Sequence, residues 1–190
     1  MNSKVDIGEK EKNSAKDWFE ELRNHICDAF EKIEISQESG PFSHLKPGKF
    51  ERKTTSRENK GNQDGGGGVM SVMRNGRVFE KVGVNISTVY GDLEPLAQKS
   101  LSSRHDIPGL KDDPRFWASG ISLVAHMQSP KTPAVHMNTR MFWTQGMTWF
   151  GGGSDLNPMV ENTTDTKFFH SCLKKACDKT NKQYYPKFKA

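Results

Sequence analysis

The sequence is poor in what builds membrane spans and stapled secreted folds. No apolar run approaches the roughly 18 residues needed to cross a bilayer. The start, Met1-Asn2-Ser3-Lys4-Val5-Asp6, has no apolar core of a signal peptide. Cysteine is scarce: Cys27, Cys172 and Cys177 make an odd count with no CxxC pair. Cys172 and Cys177 stand five apart, which splays them around a helix. Neither a disulfide framework nor a cysteine zinc site is expected, and a reducing cytoplasm fits best. Apolar residues make up only 33% of the 190 positions, and the mean hydropathy is −0.77. Basic residues exceed acidic ones by 28 to 23, for a net charge of +5. The two signs are interspersed without a dense basic block, which argues against nucleic acid as the partner. An anionic ligand remains compatible with that balance, as does no charged partner at all.

What is present clusters into periodic runs, enough for one domain with a real core. Trp18, Leu22, Ile26 and Phe30 recur at four-residue spacing, with Phe19 and Ile33 beside them. They predict a core-packing helix with Ser14 as N-cap and Asp17 as its acidic partner. His25 lies beside the stripe with nothing nearby to make it a ligand.

Residues 51–68 contain no hydrophobic side chain and close with Gly65 to Gly68. They are expected to form a mobile polar loop. No Lys-Ser or Lys-Thr follows the glycines, so a phosphate-binding loop is rejected. Two readings remain for them, a hinge or a glycine lid over a ligand.

A β region follows. Residues 69–73 and 78–82 flank Asn75-Gly76, a hairpin signal because both residues accept positive φ. Residues 83–90 alternate again, and 120–126 and 135–143 predict two further strands in antiparallel order. Between 91 and 117 the chain is irregular, broken by Pro95, Pro108 and Pro114. Phe168, Phe169, Cys172, Leu173 and Ala176 predict a second helix starting near Thr163 to Asp165. The order helix, strands, helix reads as a single α+β domain.

Strand alternation puts Ser122, Val124 and His126 on one face, and His136, Asn138 and Arg140 on one face of the next strand. If the two strands pair, the polar members form one patch. Such a patch offers an imidazole for proton transfer, an amide for orientation and a guanidinium for a carboxylate. An ordinary exposed sheet face is the alternative. The stretch Trp149-Phe150-Gly151-Gly152-Gly153-Ser154-Asp155-Leu156-Asn157-Pro158 lets backbone approach a ligand or another strand. Asp155 projects a carboxylate into a cleft, or else serves as a turn or helix cap.

Five runs stand in order: Gly65 to Gly68, Gly83 to Ser87, Gly120 to His126, His136 to Arg140, and Trp149 to Pro158. Together, from about residue 14 to 189, they closely resemble the oxygen-dependent coproporphyrinogen-III oxidase family. The resemblance implies a large antiparallel β-sheet flanked by helices, working as a homodimer. It implies oxidative decarboxylation of two propionates of coproporphyrinogen III to vinyl groups. O2 is the co-substrate, CO2 and H2O2 are released, protoporphyrinogen IX is the product, and no organic cofactor takes part. By motif, His136 is the proton donor, and Ser122, Asn138, Thr139 and Arg140 bind substrate. His126 and His170 match ligands of a divalent metal assigned in bacterial members. Asp155 is the candidate base, or the group that orients a pyrrole N–H.

Two departures stand out. The Trp that family members carry shortly before the first glycine cluster is absent. The chain also stops at Ala190, where the family continues into a C-terminal part that carries another histidine, a substrate segment and the dimerisation region. The expectation is therefore a family fold incomplete at its C-terminal side. Its function is either that of the oxidase or that of an inactive remnant, at most a weak porphyrinogen or metal binder.

Overall fold

In the computed structural model, residues 8–189 are described; the N-terminal residues read for a leader, Met1 to Asp6, lie outside them. Helix α1 spans Glu9–Ser36 and starts at Gly8, before the expected Ser14 cap. Glu9 and Glu11 in its first turn suit the positive end of the helix dipole. Its buried face is Ala15, Phe19, Arg23, Cys27 and Glu34. Leu22, Ile26 and Phe30 pack half-buried beside that line, while Trp18 is 53% exposed. The apolar arc is wide enough that the sheet takes its centre one position on from the expected stripe.

Six strands form one antiparallel sheet in simple sequence order. They are β1 (Glu51–Asn59), β2 (Gln63–Arg74), β3 (Phe79–Asp92), β4 (Arg115–Met127), β5 (Ala134–Thr144) and β6 (Met147–Asn157). A short helix, α2 (Pro95–Ser102), lies between β3 and β4.

The stretch 51–68 is not a loop. It supplies β1 and the first half of β2, turning at Gly61 (φ 74°) and Asn62 (φ 59°). A strand is held by its backbone ladder, so it needs no apolar side chain, and charge on β1 guards an edge strand. Gly65 to Gly68 lie inside β2, in the sheet ladder rather than in a loop. A Cβ at Gly67 would sit 2.1 Å from the Thr55 carbonyl oxygen, and one at Gly68 2.0 Å from that of Ile86. The glycines are there because both neighbouring strands approach too closely for any side chain.

The Asn75-Gly76 turn forms as expected, with Asn75 at φ 53°. Its amides pair back to Glu80 and Phe79. Residues 79–92 then run as one strand rather than two.

One sheet face carries the core. Met73, Val82, Val84, Ile121, Leu123, Ala125 and Met141 pack with Ala15, Phe19 and Cys27 of α1. Alternation sends the intervening side chains of β4 to the opposite face, where Ser122, Val124 and His126 are exposed. After β6 the chain forms α3 (Thr163–Asp178) and α4 (Tyr184–Lys189). Asn162 caps α3, its Oδ1 accepting the amides of Thr164 and Asp165 at 3.0 and 3.2 Å. These two helices pack mainly on each other, and Phe168 is 71% exposed.

Candidate active site

The register of the central strands arranges the open face in rows. Asn85 of β3 stands opposite Ser122 of β4, which stands opposite Asn138 of β5. In the next row Val124 faces His136, and His136 faces Asp155 of β6. On the other side of the Ser122 row, Ser87, Gly120, Arg140 and Gly151 line up. His126 lies one more row out, opposite Lys81. Ser122, His126, His136, Asn138 and Arg140 therefore share one face, as alternation required. Thr139 alternates to the other side, opposite Ile121, yet it is half-buried and still lines the depression beside Asn138 and Arg140.

His136 Nδ1 and Asp155 Oδ1 are 2.8 Å apart. With its proton on Nδ1 the ring donates to that carboxylate and keeps Nε2 free, and Asn157 Nδ2 stands 3.1 Å from the same Nδ1. Asn157, two residues along the same strand face, donates from Nδ2 to Asp155 Oδ1 at 2.6 Å. Ser154 donates to the His136 carbonyl at 3.1 Å and ties β6 to β5 at the same point. Asp155 is thus part of a strand, not a turn or a helix cap. Both side chains remain open to solvent, at 41% for His136 and 60% for Asp155.

Arg140 Nη1 donates to Asn138 Oδ1 at 3.2 Å, which fixes that amide with its Nδ2 outward. Arg140 stands four positions along β5 from His136, about 13 Å at the usual rise. Between and beside these rows lies a depression of about 330 Å³ lined by Asn85, Ser87, Gly120, Ser122, Asn138 and Arg140 among others. The glycines opposite Arg140 and Asn138, Gly151 and Gly153, leave that part of the face low. Chemically, the face pairs an imidazole and carboxylate that can move a proton with a guanidinium and amides that can hold an anion.

Residues 14–190 match the family described as coproporphyrinogen III oxidase. The chain belongs to that family. A relative from Rickettsia bellii, named oxygen-dependent coproporphyrinogen-III oxidase, is 49% identical over 183 residues, 96% of this chain and 60% of its own length. Relatives of the same name from Rickettsia conorii and Rickettsia felis are each 49% identical, covering 97% and 93% of this chain. The chain spans about 60% of the length of the curated relatives it matches.

His126 and His170, expected as a metal pair, stand on β4 and α3. His170 of α3 is half-buried, with Nδ1 3.1 Å from the Tyr185 hydroxyl and its ring edge-on to Phe169. His126 lies on the sheet, its ring centre 6.2 Å from that of His136. Among the described residues, no group of three His, Cys, Asp or Glu side chains is placed to hold a metal ion. Two imidazoles by themselves leave a divalent cation short of the ligands it needs. No helix among the described residues is long and apolar enough to cross a membrane.

Sequence reasoning missed Asn157 and Asn85. Both carried a signal: Asn157 is two residues from Asp155, and Asn85 two from Ser87, so each shares its neighbour's face. Their relevance depends on which strand lies beside them, and that is a matter of register.

Proposed function

We propose that this chain provides the substrate-binding sheet for oxidative decarboxylation of coproporphyrinogen III. The observation that carries the reading is the His136–Asp155 pair, set on an open sheet face that also bears Arg140. The substrate has four carboxylates, and a guanidinium on an uncrowded face is suited to one of them. The ring lies over the low ground beside Gly120, Gly151 and Gly153. Asp155 orients a pyrrole N–H and holds the Nδ1–H of His136, whose free Nε2 takes up the proton and returns it. The electron-rich ring reacts with O2, and the resulting peroxide takes a hydrogen from the propionate as CO2 leaves. For each propionate, one carboxylate, one O2 and one proton give one vinyl group, CO2 and H2O2. The two electrons go to O2, so no organic cofactor is needed.

A second reading has the chain bind porphyrinogen without turning it over. It is favoured by the openness of the His136–Asp155 pair, since peroxide chemistry on an oxidisable ring needs water kept out. An anaerobic-to-aerobic assay of the purified chain with coproporphyrinogen III separates the two readings. Appearance of protoporphyrin fluorescence after oxidation, abolished by His136→Ala, supports the oxidase. Binding without product supports the second reading.

A further inference from the structure

The Ser122 row has a common polarity that the sequence does not reveal. Across the sheet it reads Lys53, Met70, Asn85, Ser122, Asn138 and Gly153, so its polar side chains are all neutral or cationic. Asn85 Oδ1 accepts the Ser71 amide of β2 at 3.3 Å. Only the oxygen of a carboxamide can accept from an N–H, so that contact settles which way the amide points. Its Nδ2 lies along β3 beside Gly83, where an added Cβ would stand 3.6 Å from it, and it has no hydrogen-bond partner among the described residues. Asn138 repeats the arrangement from the other side, its Oδ1 occupied by Arg140. Two amides on either side of Ser122 thus have their acceptors used and their donors free. Adjacent strands are about 4.8 Å apart, so the Asn85 and Asn138 positions flank Ser122 across roughly 10 Å.

We propose that Asn85 is a substrate-binding residue that donates from Nδ2 to a ligand carboxylate held over Ser122. This assignment rests on the reading of the face as a porphyrinogen site. A carboxylate needs donors on both of its oxygens, and Asn85 with Ser122 offers two from adjacent strands. Asn85 alone could brace β2 against β3 through Ser71, and Asn85→Asp separates the two roles. It keeps the oxygen that accepts from Ser71 and replaces the free donor with an anionic acceptor.

The probe is coproporphyrin III, the stable aromatic form of the tetracarboxylate, titrated by its own fluorescence, with its tetramethyl ester as the carboxylate-free control. Arg140→Ala is run alongside, and thermal melts check folding. We expect Asn85→Asp to melt like the unaltered chain and to bind the free acid about tenfold more weakly or worse. Its ester affinity should not change. If Asn85→Asp loses its cooperative melt, Asn85→Thr, which suits a strand and also lacks the amide donor, is judged by the same criterion. Arg140→Ala weakening the free acid while the Asn85 variant binds it normally would overturn the role of Asn85 and leave the porphyrinogen reading standing. An unaltered chain that binds neither compound, or binds acid and ester alike, would overturn both.

Discussion

Glu34 Oε1 accepts the Phe79 amide at 2.8 Å, joining the last turns of α1 to the start of β3 across forty-five positions of sequence. The same fully buried carboxylate also takes the amides of Gly48, Arg77 and Val78. It plugs the Asn75-Gly76 turn, and a Cβ on Gly76 would lie 2.4 Å from Oε1. Burial pushes the Glu34 carboxyl up, but the four amides together pull harder and hold it below its ordinary value.

Glu34→Gln should therefore cost about 3 kcal/mol or more in urea unfolding, since an amide group would face N–H donors in a buried site. The pH dependence has a definite sign. A lowered folded value means the stabilisation is complete above the ordinary glutamate range and lost as pH falls through it towards the folded value. Melts between about pH 6 and pH 3 should show a steeper loss of stability for the unaltered chain than for Glu34→Gln. Parallel curves would remove Glu34 as the source.

Gly67 and Gly61 make a matched pair of tests. Gly67→Ala places a Cβ 2.1 Å from the Thr55 oxygen and should cost about 2 kcal/mol or more by thermal melt. Gly61→Ala meets no atom within 4 Å and suffers only its φ of 74°, about 1 kcal/mol. Equal losses would show that close strand approach is not what the glycine run serves.

Arg140→Lys keeps the charge but loses the planar fork. Coproporphyrin III binding should weaken by about 1–3 kcal/mol in calorimetry. Unchanged affinity would take Arg140 out of the anion site.

Asp155→Asn removes the negative charge beside His136 Nδ1 and puts an NH2 donor in place of one carboxylate oxygen. Under the oxidase reading, protoporphyrin formation should fall by about 100-fold or more, while coproporphyrin III affinity changes little. A parallel loss of binding would make Asp155 a structural brace between β5 and β6.

The exposed rings of Phe168 and Phe188, 71% and 66% open, lie on the α3–α4 pair together with the partly exposed Tyr184. Apolar surface of that kind promotes association. Light scattering should show concentration-dependent growth that the double variant Phe168→Lys, Phe188→Lys suppresses.

The alternation of 122–126 and 136–140 was legible because a strand has a period of two and needs no knowledge of its neighbours. The Asn75-Gly76 turn and the start of α3 near Thr163 were legible for the same reason: each is set by bonds within a few residues. Residues 51–68 misled because apolar content was taken as the sign of a strand. A ladder between β1 and β2 is satisfied by backbone alone, so Glu, Arg and Lys side chains can stand on it. The α1 stripe was found but centred on Trp18, because periodicity shows that an apolar arc exists and not which line of it meets a sheet.

The sequence by itself determined the local elements, the single polar face of β4 and β5, and the family, because these depend on spacing along the chain. Tertiary structure alone decided that Asp155 meets His136, that Asn85 stands opposite Ser122, that Thr139 stands opposite Ile121, and that His170 meets Tyr185. Those are outcomes of register and helix placement. Each brings together residues that no periodicity links, and a one-residue slip would have sent every one of the strand partners to the opposite face.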